Sequence, residues 1–546
     1  MFIVRQGGKV ASIFASKAQK KILITIIAFL VFSTTKVLDC RAATVRMPAD
    51  CANLRACFSL MDGGDTLIIA DGAYTGENNR INWQNLPPNG TPAAWTNIEA
   101  EHPGHVQFDG QNARRMLGAG SEEPDTPMNY VTFRGLEWIN STGGHDVTGD
   151  SHNNHTAHHI KFFQCGFEDS MGINYASYIL LEDCYVWGRG RYNFIPFVSD
   201  HVIFRRCVAR LDAADGNNMP ICNYQNYDSQ FVEYQNCIAI DSSDDYYTNF
   251  EGINGGFSVR HPIDIYRDGI TYTYRSENVG IRGLIVLNVK NERSGFGSPA
   301  ASWVFGWDVI NTSIEDAIFW DMHRGTYFSY TYPDTNYAIR NAVFGQMSES
   351  GDNMVWGNFG QYGDISNSIF ANISGTALGK VKSSTKNAFY ANGTNKDGVT
   401  SSSGDITNVN PFTVGGLKYL PRVESDGSFH GAGVGGEDIG PDITKRIGVS
   451  GTLYGEAGYN AITNESLWPW PNEDIIKHAF STYGVQSNPN PRRGFCADGN
   501  GLYGGPVTLT SYIWEYLGNP CPVEICSPGQ AGDATPPAVP AGLSVR

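Results

Sequence analysis

The sequence predicts an all-β architecture, most of it a single-stranded right-handed parallel β-helix over residues 44–445, with a helical cap before it and a small helical and aromatic cap after it. Two observations predict this. One short apolar pattern recurs through the middle of the chain, and the composition is turn-rich rather than helix-rich. Of 546 residues 62 are Gly, 12% are aromatic and only 17% are charged, which is too apolar for a disordered chain and too rich in turn formers for a helical one.

The pattern is apolar-x-apolar-x-x-small-x-apolar. It reads Val131-Thr-Phe133-Arg-Gly-Leu136-Glu-Trp138, then Ile160-Lys-Phe162-Phe-Gln-Cys165-Gly-Phe167 and Ile179-Leu-Leu181-Glu-Asp-Cys184-Tyr-Val186. Val202-Ile-Phe204-Arg-Arg-Cys207-Val-Ala209 and Val232-Glu-Tyr234-Gln-Asn-Cys237-Ile-Ala239 follow, with shorter echoes ending at Val286, Phe319, Phe344 and Phe370. Alternation at period two marks a strand with one face buried. The two-residue break marks a bend onto a second sheet. Intervals between small positions run from 19 residues (165 to 184) to 47 (237 to 284), so coils of constant cross-section carry loops of variable length. Such coils bury their inner faces on their neighbours.

Cys165, Cys184, Cys207 and Cys237 fall at one point of four successive coils and predict an interior ladder of thiols acting as small hydrophobes. A metal site does not fit, because stacked strands present a line at about 4.8 Å per step, not a tetrahedron. Of the other cysteines, Cys51 and Cys57 flank a short helix, and Cys496, Cys521 and Cys526 lie near the end. Spacing alone does not assign their pairing.

The first 42 residues read as a secretory signal. Lys17, Lys20 and Lys21 precede an eleven-residue apolar run, Ile22 to Phe32, followed by polar residues and Ala42-Ala43. The run is well short of the ~20 residues a membrane-spanning helix needs, and Asp39 before Cys40 departs from a lipidation signal. No later segment could span a bilayer. Removing residues 1–42, which hold seven basic residues and one acid, would shift the net charge from −16 to −22. A field of that sign disfavours nucleic acid and anionic membranes. A uronic-acid polymer would need a local basic strip or a bridging cation.

The predicted helix Ala52–Met61 and the following Gly64-Asp-Thr-Leu-Ile-Ile-Ala-Asp-Gly-Ala-Tyr-Thr-Gly76 resemble the opening of secreted parallel β-helix proteins of the pectate-lyase-like superfamily, many of them polysaccharide lyases. Arg422-Val-Glu, Gly431-Ala-Gly and Asp438-Ile-Gly440 resemble the closing coil of the same superfamily. The resemblance covers about residues 44–445 and implies a fold and an extended polysaccharide ligand. It carries no catalytic residue across. Lys382-Ser-Ser384 and Arg267-Asp-Gly269 are similar to paired motifs of one alginate and chondroitin lyase family, but their order here is inverted and the Asn-Gly-x-Glu calcium element is absent.

Residues 446–526 predict a C-terminal cap with helices near Glu473–Phe480 and Leu509–Leu517, Asn472 serving as N-cap of the first. Trp468, Trp470 and Trp514 are read as its core, packed on the last coil. Residues 527–546 are linker-like, and their Ala-Thr-Pro-Pro-Ala-Val-Pro stretch resembles the start of a fibronectin type III module.

Register from the thiol ladder nominates two outward columns: Glu168, Trp187, Arg210 and Ile240, then Ser170, Arg189, Asp212 and Ser242. A lyase must neutralise a sugar carboxylate, remove the adjacent proton and assist the leaving oxygen. The candidates for this are Arg189, Arg191, Arg210 and Asp212, with Asp241, Asp244 and Asp245 as oxygen ligands for Ca²⁺. Arginine is an awkward base, being protonated throughout the working pH range. The five-histidine loop 145–159 is read as polar cover over the groove. Two functions follow: a polysaccharide lyase or glycoside hydrolase working in the groove, or a non-catalytic structural or adhesive surface module.

Overall fold

Each of the coils described in the computed structural model contributes strands to parallel sheets that form the three faces of a right-handed β-helix. The described residues are 42–119, 128–149, 157–190, 192–214, 221–242, 254–259, 263–267, 270–274, 276–289, 310–322, 336–348, 353–357, 361–407, 409–413, 415–482 and 491–527. Residues 1–41 of the predicted signal segment, residues 528–546 of the predicted linker-like tail, Arg191, Asp244 and Asp245 lie outside them. No helix among the described residues is long and apolar enough to cross a membrane.

Face one stacks Asn129–Arg134, Ala157–Phe163, Ala176–Glu182, Asp200–Arg205 and Gln230–Gln235, each parallel to and in register with the next. Face two stacks Leu136–Ile139, Gly166–Glu168, Tyr185–Gly190, Val208–Ala214 and Ile238–Ile240. Face three runs from Ile81–Asn82 through Met171–Asn174 to Asn254–Val259. The residue before each small position makes the bend between faces one and two. It takes a left-handed conformation coil after coil: Gly135, Gln164, Asp183, Arg206, Asn236 and Gly283 all have φ between 51° and 72°. The two-residue break in the sequence pattern is this bend.

The small positions point inward. Cys165, Cys184, Cys207 and Cys237 are wholly buried, and Cys184, Cys207 and Cys237 each place the sulfur on a carbonyl of the preceding coil, 3.3–3.5 Å away. Leu136 stands at the same point one coil earlier. Further along, Phe319, Phe344, Phe370 and Phe389 stack at 5.0–5.1 Å between ring centroids, the step that strand spacing imposes. A second ring column, Tyr130, His159, Tyr178, His201 and Phe231, lies half-buried where face three turns into face one, with centroids 4.5–4.9 Å apart. His159 belongs to this column, while His152 and His155 lie outside the described residues.

The N-terminal helix is shorter than the pattern suggested, Leu54–Phe58, N-capped by Asn53 and turned inward through Leu54, Cys57 and Phe58. Cys51 pairs with Cys57 and Cys521 with Cys526. One bend position conflicts with local preference. Ala391 is exposed and holds φ 51°, a conformation that costs a residue with a Cβ about 1–2 kcal/mol. Glycine relieves this but loses about 0.4–1 kcal/mol to its freer unfolded chain. Ala391→Gly should therefore stabilise the protein by about 0.5–1 kcal/mol in denaturant unfolding.

The C-terminal region departs from the expected arrangement. Residues 422–440 do not close the solenoid; they run back beside its bend, where Asn341 donates to the Asp438 carbonyl (3.0 Å) and the Asn367 carbonyl accepts from Gly440 (2.9 Å). The following segment does not sit on the last coil either. It lies lengthwise on the outside. Residues 445–461 cross face one, where the buried Arg205 donates to the carbonyls of Val449 and Tyr459, both at 2.9 Å. The helix Glu473–Thr482 and residues 493–516 cover face two. The physical reason is the outward side of face two, which carries Tyr185, Trp187, Ile238, Ile240, Ile285, Leu287, Ile318 and Trp320. All are buried against Trp468, Trp470, Phe480, Phe495, Ile513 and Trp514. Sheets apolar on both sides must be covered on both sides.

Candidate functional site

Along face two the fold-back segment leaves one end uncovered, and there the solenoid and the helix Glu473–Thr482 enclose a cleft of about 860 Å³. Its floor is the outward side of face two, where Glu137 and Glu168 point the same way because each lies one residue after an inward position, Leu136 and Phe167. Glu137 pairs in register with Gly166 and so sits diagonally from Glu168, two residues along the next strand. Strand spacing and rise place the two Cα atoms about 8 Å apart. The bend beyond contributes Asn140, Ser141, Asp169 and Ser170, and the strand Tyr185–Gly190 contributes Arg189; the helix contributes His478, Ala479 and Thr482 as the opposite wall.

The two carboxyls are held differently. Glu137 is buried, and accepts from the Tyr185 hydroxyl at 2.7 Å and from the Gln107 amide at 2.9 Å. Burial raises it above the usual carboxylate range, against the pull of those two donors. Glu168 is half-buried and accepts from the Asn140 backbone N–H at 2.5 Å. Burial, aided by the charges of Asp169, Asp109 and Glu137, pushes it up to about 7. A carboxyl poised there keeps its proton near neutrality and can deliver it. Asp169, in a left-handed turn at φ 83°, accepts from the Arg189 backbone N–H at 2.9 Å.

The residues nominated from sequence divide into three groups. Arg189 is exposed and lines the cleft with Glu168, Trp187 and Ser170 of the same predicted columns. Arg210 and Asp212 are outward as the register requires, but their place in an open groove needs correcting. They form a buried ion pair at 2.9 Å, with Arg210 bonding to the carbonyls of Phe480 and Pro491 and Asp212 also meeting Arg493 at 2.8 Å. The cap closes over them because the strand around them is apolar. Asp241 is likewise taken up: its carboxylate accepts from Asn288 (2.7 Å), Tyr512 (2.9 Å) and the Phe495 N–H (3.0 Å). Arg191, Asp244 and Asp245 lie outside the described residues. Among the described residues no cluster of three or more His, Cys, Asp or Glu side chains is placed to hold a metal ion.

Glu137 and His478 were not nominated. Glu137 lies one residue after the ladder position Leu136, in register with Gly166, whereas the nominated columns lie three and five residues after it. His478 reaches the cleft from more than 300 residues away, a contact no local pattern encodes.

No family model and no curated protein matches the sequence. Among solved structures, the chain is similar to pectate lyase Pel9A at 13% identity, covering 59% of this chain and 71% of that one, with a TM-score of 0.35. A PL6-family polysaccharide lyase from Pseudopedobacter saltans matches at 10% identity over 67% and 93%, with a TM-score of 0.36. The catalytic domain of a GH87 α-1,3-glucanase in complex with nigerose matches at 10% over 68% of each chain, with a TM-score of 0.33. None of these likenesses assigns a residue.

Proposed function

We propose that the cleft binds an extended polysaccharide and cleaves it, with Glu168 as the proton donor to the leaving sugar oxygen. The observation that carries this reading is the half-buried Glu168 carboxyl, raised to about 7 and aimed into a polar cleft beside a second carboxyl, Asp169. A carboxyl that holds its proton, with a second carboxyl beside it, supplies the working parts of glycosidic bond cleavage. The amides and hydroxyls of Asn112, Asn140, Ser141 and Thr482 supply partners for sugar hydroxyls. The two disulfides support an extracytoplasmic place of action, since such bonds persist in oxidising compartments.

The test is a polysaccharide panel assayed for new reducing ends and for unsaturated products, with and without chelator. Glu168→Gln should lower kcat/KM by about 100-fold, the lower end of what a positioned acid contributes. The wild-type rate should fall as pH rises through about 7, as Glu168 loses its proton; that limb should be missing from the Gln variant's residual rate. A Glu168→Gln variant within twofold of wild type would remove Glu168 from the chemistry. Loss of activity to chelator would show that a divalent cation takes part. Binding without cleavage would favour the non-catalytic module.

A further inference from the structure

We propose that the polymer accepted by this cleft is a neutral glycan rather than a polyuronate, an inference that rests on the cleft reading above. It follows from where the charges lie. Glu137, Glu168 and Asp169 converge on the cleft, with Asp109 near enough to act on Glu168. On the cationic side, Arg189 and His478 line it. Among the described residues, three arginines of the neighbouring coils are paired with acids outside the cleft. Arg115 pairs with Asp146 at 2.6 Å, Arg206 with Glu182 and Asp183 at 2.6 Å each, and Arg210 with Asp212 beneath the cap. A uronate chain carries one negative charge per sugar and would meet Asp169 and Asp109, whose charges already act on the proton-bearing Glu168, with Arg189 and His478 as the described cations to offset them. Like charges brought together in a partly desolvated site oppose binding strongly, and the net charge of −16 adds repulsion at longer range. A neutral chain meets none of this and can use the uncharged lining.

The chemistry then differs from elimination. Glu168 gives its proton to the glycosidic oxygen as the C–O bond to the anomeric carbon breaks. A water oxygen bonds to that carbon, and the water's proton passes to a carboxylate. One new reducing end and one new hydroxyl appear for each water consumed, and no double bond forms. A neutral sugar has no carboxylate to acidify the neighbouring C–H, so β-elimination has no starting point.

The experiment compares soluble α- and β-glucans, mannan and galactan with polygalacturonate and alginate, each uronate also supplied in carboxyl-reduced form. The expected result is reducing ends from at least one neutral polymer, no unsaturated product, and kcat/KM for a uronate at least about tenfold below that for its carboxyl-reduced counterpart. Apparent affinity for the neutral polymer should be insensitive to salt. A uronate cleaved better than its reduced form, with the activity lost in Glu168→Gln, would overturn the charge inference while leaving the cleft reading intact. No binding and no cleavage across the panel would overturn both.

Discussion

Glu182→Ala is expected to destabilise the protein by about 3–5 kcal/mol, the cost of leaving buried charge unpaired. Glu182 is fully buried where the fold-back segment crosses face one. Its carboxylate receives Arg205 at 2.9 Å, Arg206 at 2.6 Å, the Ser450 hydroxyl at 2.5 Å and the Gly451 N–H at 2.9 Å. Burial works against its ionisation, but Arg206 and Arg205 outweigh that and hold it below the usual carboxylate range. Truncation leaves Arg205, itself wholly buried, with only neutral partners: Gln235 and the oxygens of Val449, Thr452 and Tyr459. Arg206 keeps Asp183, so the damage centres on Arg205 and on residues 445–461 that it holds down. Denaturant unfolding gives the magnitude, and limited proteolysis should show earlier cleavage within 445–461. A loss below about 1 kcal/mol would mean that water reaches this cluster.

The second large effect is expected at Trp514. Its ring is wholly buried, 5.3 Å from Tyr419 and 5.9 Å from Trp468 between centroids, with the Arg422 guanidinium 5.3 Å above it. Trp514→Ala should cost about 3–5 kcal/mol through the cavity it leaves. Loosening this core frees the segment that covers face two, so dye binding to exposed apolar surface should rise. The same segment carries the His478 wall of the cleft, so cleavage should fall along with stability. Full activity at reduced stability would show that the wall is dispensable.

Both variants bear on the part of the molecule least legible in the sequence. The coils were legible because one period-two pattern with a fixed break repeats, and the thiol ladder set the register well enough to align Glu168, Trp187 and Arg210, though a register shift at Gly188/Arg189 takes Arg189 off Asp212. The covering of face two was missed, although a sign of it was present. Ile238-Ala-Ile240, Ile285-Val-Leu287 and Ile318-Phe-Trp320 are apolar at both parities, which a sheet open to water does not tolerate. Arg210 and Asp212, two apart on such a strand, read better as a buried pair than as an open catalytic column. The path of the fold-back segment was not readable, because contacts such as Gln164 to Asn472 and Arg210 to Phe480 join residues about 270–310 apart.

That long return of the chain changes how the solenoid as a whole can come apart. A bare stack of coils is held only by nearest neighbours and melts inward from either end. Here one continuous piece is bonded to Glu182, Arg205, Asp241, Asp321, Asn341 and Asn367 in turn, like a splint tied across many slats. The slats beneath it cannot separate singly, and their amide protons must exchange through one shared opening. The exposed strand Ser401–Ser403, beyond it on face one, remains free to fray alone.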